Sequence, residues 1–196
     1  MFRIAVLAST KGTDLQAIID EMKSGKMQGI ELAVVISNKK NCYALQRARE
    51  QGYKTVFVNP KNRTQEQFDQ KMAEILGKEN VDLIVLVGYM RILTRKFVES
   101  FKNKIINVHP ALIPKYCRKD FFGKSVHEAV LAAKEHETGM TIHYVEEGVD
   151  TGKIILQKKC PVLPNDTVET LKERVQELEK KWYPEMIRRI SSLGIG

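Results

Sequence analysis

The spacing most suggestive of chemistry is Asn-x-His-Pro, in which Asn107 and His109 precede Pro110 at the end of an apolar run. Alternate residues of an extended strand point to the same side, so this amide and this imidazole can converge on one atom. An amide donor beside a protonated imidazole is suited to stabilising an oxygen that becomes negative during acyl transfer. The same short motif also fits a hydrogen-bonded core histidine before a turn-forming proline, and the residues alone leave both interpretations open.

A glycine-bounded loop further along the chain contains three acids, Glu146, Glu147 and Asp150. Acids in such loops are usually part of a solvated turn. One of these carboxylates could instead lie against His109, raise the pKa of the imidazole and keep it cationic. The loop is therefore a second candidate part of a catalytic site.

The turn that follows the first apolar run, residues 9–15, is a candidate phosphate site. A tight turn leaves free amides at a helix N-terminus, and these amides together with the helix dipole bind anions. The dinucleotide pattern GxGxxG is absent because Gly12 is the only glycine in this turn, and the Walker pattern is absent too. A plain capped helix start is the alternative.

Other reaction types find little support in the sequence. His127, His136 and His143 show no ligand spacing, HExxH is absent, and no cysteine-histidine cluster exists, so no metal site is predicted. No GxSxG elbow appears, and no cysteine has an obvious base.

Composition limits the class of protein. The chain of 196 residues is 43% hydrophobic and 29% charged, which is typical of a soluble globular domain. No apolar run approaches the roughly 18 residues of a membrane span, and the three scattered cysteines favour a reducing cytoplasm. The net charge of +8 favours anionic ligands but does not choose between a phosphorylated metabolite and nucleic acid.

The elements that must position these residues alternate between strand and helix in the first half of the chain. The runs FRIAVLAS, ELAVVIS, KTVFV and LIVLVG are each followed by a helical stretch, which begins near Thr13 in the first case and spans about 43–51, 64–77 and 94–101 in the others. Unbroken apolar strands are typical of a parallel sheet that is covered on both faces. The alternation therefore predicts right-handed βαβ units and a Rossmann-like half.

The second half changes character after the strand-like KIINVHP. A helix is predicted over about 124–134, and TIHYV and KIILQKKCPV then indicate an antiparallel hairpin. Apolar residues that recur every three or four positions after Thr167 predict a long final helix. We therefore predict one α/β domain over 1–196, with a mostly parallel sheet, an antiparallel part in its C-terminal half and a long C-terminal helix.

Taken together, these segments resemble the phosphoribosylglycinamide formyltransferase family over nearly the whole chain. The resemblance is carried by AVLASTKGTDLQAIID, VGYMRIL, INVHPALIPKY, TIHYVEEGVDTGKIILQ and RVQELEKKWYP. It implies direct transfer of a formyl group from 10-formyltetrahydrofolate to the amine of a phosphorylated glycinamide ribonucleotide, without a metal. It further implies a cytoplasmic enzyme, a monomer or a homodimer, that binds neither nucleic acid nor membrane. Residues of about 1–100 would bind the phosphate, and those of about 101–196 would bind folate and carry the catalytic groups.

The resemblance also implies a role for individual residues. The catalytic residues would be Asn107, His109 and Asp150, with Asp150 holding His109 as imidazolium. The phosphate would be held by Gly12, Thr13 and Asp14, with Lys11 as an added cationic contact. The ribose hydroxyls would be bound by Glu179, with Gln176 one turn earlier as a further contact. The folate site would be lined by Met90, Arg91, Ile92, Leu93, Glu146, Glu147, Gly148 and Val149.

The sequence departs from the family pattern in two places. The phosphate turn is usually richer in glycine, whereas Thr10 and Lys11 occupy its middle here. The stretch 117–122 differs from the common proline-glycine version, which would reshape an active-site flap. Three alternatives remain at this point: formyl transfer to methionyl-tRNA, hydrolysis of formyltetrahydrofolate, and a non-catalytic nucleotide-binding module.

Overall fold

One mixed sheet organises the part of the chain that the computed structural model describes, which is residues 1–117, 121 and 123–194. Its strands are β1 Phe2–Ala8, β2 Ile30–Ser37, β3 Thr55–Phe57, β4 Leu83–Val87, β5 Ile105–His109, β6 Glu137–Tyr144 and β7 Ile154–Pro161. The helices are α1 Thr13–Lys23, α2 Tyr43–Glu50, α3 Gln65–Lys78, α4 Arg95–Ser100, α5 Lys124–Ala132 and α6 Val168–Ser192.

The strand order in the sheet is β3-β2-β1-β4-β5-β6-β7. The strands β1 to β5 run parallel, whereas β6 runs antiparallel to β5 and β7 antiparallel to β6. The predicted α/β fold, with its mostly parallel sheet, an antiparallel part in the C-terminal half and a long final helix, is confirmed. The strands β2 and β3 are added on one side of β1, and β4 to β7 on the other, so the strand order reverses between β1 and β4. Ligands of open α/β sheets bind beyond the carboxyl ends of the strands at such a point.

The central strands are apolar throughout because helices cover both faces of the sheet. Ile4, Val6 and Ala8 of β1 pack with α1, α2 and α6 on one face. Ala5 and Leu7 of the same strand pack with α3 and α4 on the other face. A strand that is buried on both sides has no polar alternation, which is why FRIAVLAS and LIVLVG read as unbroken apolar runs.

The helix boundaries differ from the predicted ones by one or two residues. Thr64 and Thr167 lie just before α3 and α6 as N-caps, and each takes part in a reciprocal capping box, with Gln67 and Thr170 respectively. The helix α5 ends at Ala132 rather than at the predicted 134. No helix within the described ranges has both the length and the apolar character that crossing a bilayer would demand.

Part of the expected flap, 117–122, lies outside the described residues. Of this stretch the structure describes Cys117 and Phe121. Cys117 is buried, and its Sγ donates to the carbonyl of Pro114 at 3.1 Å.

Candidate active site

The three predicted catalytic residues meet at one point. Asn107 and His109 stand two positions apart on β5 and face the same side, and Asp150 reaches them from the loop between β6 and β7. Asp150 Oδ1 lies 3.5 Å from Asn107 Nδ2, and Asp150 Oδ2 lies 3.4 Å from His109 Nδ1. The amide, the imidazole and the carboxylate thus form a single cluster.

Sequence reasoning missed a fourth member of this cluster, His143. It pairs with Asn107 across the antiparallel β5–β6 register, and its Nε2 lies 3.3 Å from Asn107 Nδ2. Nδ1 of the same ring lies 2.8 Å from the carbonyl of Tyr144, which can only accept, so Nδ1 carries the proton. Nε2 of the same ring also lies 3.5 Å from Asp150 Oδ1, so His143 contacts both the amide and the carboxylate of the cluster. The only signal in the sequence was its place in the strand-like TIHYV, because the register that brings it to Asn107 is a tertiary feature.

His109 is buried, and both of its ring nitrogens face oxygen acceptors. Nε2 donates to the carbonyl of Tyr116 at 2.6 Å, and Nδ1 faces Asp150. Only the imidazolium can donate on both sides. Burial nevertheless lowers the pKa of His109 below its ordinary value, against the opposing effects of Asp150 and the Tyr116 carbonyl. Desolvation is the larger of these effects, and the role of Asp150 in holding His109 as imidazolium stays a prediction.

A cavity of about 390 Å³ opens beside this cluster. It is lined by all three predicted catalytic residues and by seven of the eight predicted folate-site residues: Met90, Arg91, Ile92, Leu93, Glu146, Gly148 and Val149. Glu147 is the exception, since its side chain is largely exposed and lies 3.6 Å from Arg95 outside the lining. The cavity therefore combines a polar corner, made by Asn107, His109 and Asp150, with a wall made by the segment after β4.

That wall is apolar and partly open. Met90 and Ile92 are 45% and 51% exposed, which is high for side chains of this size and polarity. Arg91 lies between them in sequence, and its guanidinium stacks on the ring of Phe68 at 4.4 Å. Exposed apolar side chains beside a cavity are typical of a ligand-binding site.

The predicted phosphate turn begins α1. Gly12 precedes the helix with φ 69° and ψ 42°, and no side chain caps the first turn. A Cβ at Gly12 would lie 2.7 Å from Ala44 Cβ at the start of α2, so a glycine is required there for both conformation and space. The first amides of α1 have no intrahelical acceptor and point toward any ligand bound beyond the helix end.

Thr10 and Lys11, the non-glycine residues in the middle of this turn, each make a defined contact. Thr10 packs against Gly88, where an added Cβ would lie 2.3 Å from Thr10 Oγ1. Lys11 is exposed, and its carbonyl accepts a hydrogen bond from Arg47 Nε at 2.9 Å. Gly88, at the end of the neighbouring strand β4, thus leaves space for the side chain of Thr10. The hydrogen bond from Arg47 to the Lys11 carbonyl stabilises the turn.

Two predicted substrate-binding residues are buried together away from the turn's surface. Asp14 and Glu179 are each 6% exposed, and their carboxyls interact electrostatically across the α1–α6 contact. Burial raises the pKa of Asp14 to about 6 and that of Glu179 well above its ordinary value. The side chain of Asp14 therefore faces α6, so only its backbone amide is placed to serve a phosphate. Gln176 is half-buried one turn before Glu179.

The phosphate turn and the cavity are neighbouring but separate regions. None of the six predicted ribonucleotide-binding residues lines the cavity. The two regions are joined by a hydrogen bond, since Met90 donates its backbone N–H to Ser9 Oγ at 2.9 Å. Both therefore lie along the carboxyl edge of β1, β4 and β5, with the cluster of Asn107, His109 and Asp150 on the cavity side.

Comparison with known proteins places nearly the whole chain in one family. Residues 2–187 match the model of the formyl transferase family. A phosphoribosylglycinamide formyltransferase of Haemophilus influenzae is 42% identical over 189 residues, which is 96% of this chain and 86% of that protein. The trifunctional purine biosynthetic protein adenosine-3 of Bos taurus is 40% identical over 97% of this chain and 18% of its own length.

Solved structures give the same result. Glycinamide ribonucleotide transformylase 1 from Symbiobacterium toebii superposes with a TM-score of 0.89 at 40% identity, and covers 96% of this chain and 86% of that one. The enzyme of the same name from Geobacillus kaustophilus superposes with a TM-score of 0.89 at 32% identity, with 97% and 98% covered. The chain therefore belongs to the formyl transferase family and, within it, to the phosphoribosylglycinamide formyltransferases.

Proposed function

We propose that the protein transfers a formyl group from 10-formyltetrahydrofolate to the amine of 5'-phosphoribosylglycinamide in purine biosynthesis. The observation that carries the proposal is the convergence of Asn107, His109 and Asp150 at one end of an apolar cavity. The names of the relatives support the acceptor and the pathway. The three free cysteines, at 42, 117 and 160, support a reducing, cytoplasmic location.

In this reaction the acceptor amine attacks the formyl carbon, and the formyl oxygen becomes negative. Asn107 donates a neutral hydrogen bond to that oxygen from Nδ2, whose present contacts at 3.3 and 3.5 Å are long enough to be exchanged for a stronger acceptor. His109 donates a second, charged hydrogen bond. Nε2 is engaged by the Tyr116 carbonyl at 2.6 Å, whereas the contact of Nδ1 with Asp150 is longer, at 3.4 Å, so Nδ1 is the nitrogen available to donate to the substrate.

The lowered pKa of His109 fits an imidazolium that is stabilised only when the negative tetrahedral species forms beside it. In the ligand-free site burial disfavours the imidazolium. The negative oxygen of the tetrahedral species adds a second negative charge beside the ring and offsets that cost. Asp150 supports the imidazolium and passes a proton from the attacking nitrogen, through water, toward the leaving nitrogen of the folate. The amine loses one proton, and the folate nitrogen gains one.

The two ligands fit the two regions of the site. The exposed Met90 and Ile92 support placing the flat folate ring system against the cavity wall. The open amides after Gly12 support placing the ribonucleotide phosphate at the start of α1. The acceptor amine then meets the formyl group between them, beside Asn107.

The test is steady-state kinetics of Asn107→Ala and His109→Ala with both substrates. Losing one oxyanion donor costs about 100- to 1000-fold in kcat, or roughly 2.7–4 kcal/mol. We expect losses of at least this size with folding retained, as checked by circular dichroism. Near-full activity of either variant would show that these residues have other roles. The exposed Asp20 on α1 provides the matched control, and Asp20→Asn should keep the parental rate.

Acceptor choice is tested separately by offering glycinamide ribonucleotide, initiator methionyl-tRNA and water to the same preparation. Formyl transfer should be measurable with the ribonucleotide and absent with tRNA. Folate release that does not depend on the ribonucleotide would instead indicate a hydrolase.

A further inference from the structure

The apolar wall of the cavity is formed by a segment that belongs to neither of the elements it joins. This wall segment, residues 89–94, lies between the end of β4 and the start of α4. A segment outside the sheet and the helices lacks a repeating ladder of backbone hydrogen bonds, so its shape is set by contacts with other parts of the fold. Four of these contacts come from one helix, α3.

Two side chains of α3 bind the backbone of the wall segment. Gln65 Nε2 donates to the carbonyl of Ile92 at 2.5 Å. Asp69 Oδ2 accepts a hydrogen bond from the backbone N–H of Thr94 at 2.6 Å, at the point where α4 begins. These bonds fix the second half of the segment, because each one holds a peptide group rather than a flexible side chain.

Two other side chains of α3 hold side chains of the wall segment. The guanidinium of Arg91 stacks on the ring of Phe68, with Cζ 4.4 Å from the ring centroid. The hydroxyl of Tyr89 donates to Met72 Sδ at 3.3 Å. Phe68 and Met72 are fully buried, so they give Tyr89 and Arg91 fixed surfaces to pack on.

The four contacts follow the period of the helix. Residues that are three, four and seven positions apart lie on the same face of an α-helix. This is the spacing of the four contacting residues of α3, which are Gln65, Phe68, Asp69 and Met72. Their partners are spread over residues 89–94, so one face of α3 lies along the wall segment from end to end.

This support explains why apolar side chains of the wall segment face the cavity. Tyr89 and Arg91 are held toward α3. Met90 and Ile92 alternate with them in sequence and are 45% and 51% exposed beside the cavity, which is the alternation that an extended stretch gives. Exposed apolar side chains forgo the free energy that burial would provide, so a segment that displays them has to be held in place.

Asp69 is the member of this face whose burial needs an explanation. It is 3% exposed, and a buried carboxylate is costly unless it is hydrogen-bonded. The N–H of Thr94 provides such a bond. Among the described residues that line the cavity none comes from α3, so Asp69 does not act by touching a ligand there. Its effect on a ligand has to pass through the wall segment.

We propose that Asp69 is a positioning residue for the formyl donor, and that its face of α3 holds the wall segment in the shape that binds the ring system of the folate. The proposal rests on the proposed function to the extent that the wall binds a folate. It predicts that changes on this face of α3 weaken binding of the donor and leave the proposed acceptor site at the start of α1 unaffected.

The first test is steady-state kinetics of Asp69→Ala and Asp69→Asn with 10-formyltetrahydrofolate and 5'-phosphoribosylglycinamide. Asp69→Ala removes the acceptor of the Thr94 N–H, whereas Asp69→Asn retains a neutral oxygen acceptor. We expect the KM of the folate to rise by about tenfold in Asp69→Ala and by less in Asp69→Asn, the size of one hydrogen bond to a charged group. The KM of the ribonucleotide and kcat should stay within about twofold of the parental values. Equal rises of both KM values would overturn the proposal.

Gln65→Ala provides a variant that leaves the core intact, because Gln65 is exposed. Loss of its neutral hydrogen bond to Ile92 should raise the KM of the folate by about threefold. Gln70→Ala, which is exposed on the same helix but off this face, is the matched control and should keep the parental KM. An unchanged folate KM in Gln65→Ala would contradict the role of this face. If Asp69→Ala does not fold, Gln65→Ala and Asp69→Asn decide the question.

A buried position of the same helix separates positioning from a general loss of stability. Leu76 is fully buried, and Leu76→Val should lower the free energy of unfolding in urea denaturation because the side chain becomes smaller. The KM of the folate should nevertheless stay within about twofold of the parental value. If Leu76→Val raised this KM as much as Asp69→Ala does, the effect would be one of stability and the proposal would be wrong.

Equilibrium binding of 5-formyltetrahydrofolate, whose formyl group is on a different nitrogen, separates this proposal from the proposed function. Isothermal titration calorimetry should give a Kd about tenfold higher for Asp69→Ala than for the parent. Equal Kd values, or failure of the parent to bind this folate, would overturn the positioning role. A parent that binds it, with the expected ratio of Kd values, but transfers no formyl group to the ribonucleotide would count against the proposed function alone.

Discussion

Asp150→Asn isolates the charge beside His109 from every other property of the site. Asn has nearly the same shape as Asp and still offers an oxygen to the imidazole. It also tolerates the backbone of this position, which has φ 56°, in the region where Asn and Asp are several-fold enriched. Asp150→Ala would add backbone strain to the loss of charge, so the Asn variant is the cleaner perturbation.

The expected size of the effect follows from the geometry. Opposite charges 3.4 Å apart interact by roughly 5 kcal/mol at an effective dielectric constant of about 20, which is an upper limit for the loss. A hydrogen bond to a charged group contributes about 1.5–3 kcal/mol, which sets the lower limit. We therefore expect kcat to fall by between about 10-fold and about 5000-fold, with little change in the KM of either substrate.

The assay is formyl transfer at saturating concentrations of both substrates, followed by folate absorbance across a range of pH. Removing the carboxylate removes the main effect that raises the pKa of His109. If the imidazolium is the active form, the activity that is lost on its deprotonation should be lost at lower pH in the variant. Proton NMR of the His109 ring should show the same displacement without substrate.

Two results would refute this reasoning. A kcat within about threefold of the parental value would mean that the charge of Asp150 is not used in the rate-limiting step. A large loss of rate with an unchanged NMR titration of His109 would mean that Asp150 acts on the substrate directly rather than through the imidazole. The parental protein and Asp20→Asn, whose side chain is exposed on α1, provide the reference curves.

Two further predictions address the support of the site. Gly12→Ala should raise the KM of the ribonucleotide and lower the free energy of unfolding by about 1–3 kcal/mol, whereas Gly25→Ala, at a similar φ of 76° with open space around it, should cost less and leave KM unchanged. Equal effects of the two in urea denaturation and kinetics would mean that backbone strain, not the close packing of Gly12, matters. His143→Phe should lower kcat by about tenfold, the value of one hydrogen bond to Asn107, with the parental KM. A loss as large as that of Asn107→Ala would instead give His143 a direct part in the reaction.

Local patterns predicted the elements because these patterns follow from local physics. The unbroken apolar runs predicted buried parallel strands, and the recurrence of apolar residues after Thr167 predicted the long helix α6. The resemblance of the segments to a known family predicted which residues would meet. The structure brings Asn107, His109 and Asp150 together as expected.

The sequence by itself determined the order of the helices and strands, the apolar strands, and which amide, imidazole and carboxylate side chains lie near the strand ends. Tertiary structure alone decided how these side chains interact. Whether His109 is charged depends on the balance between its burial and Asp150, and the antiparallel register of β5 with β6 sets the contact of His143 with Asn107. The burial of Asp14 against Glu179 depends on how α1 packs on α6. Desolvation and long-range pairing depend on the whole surroundings of a group, and no short stretch of sequence contains those surroundings.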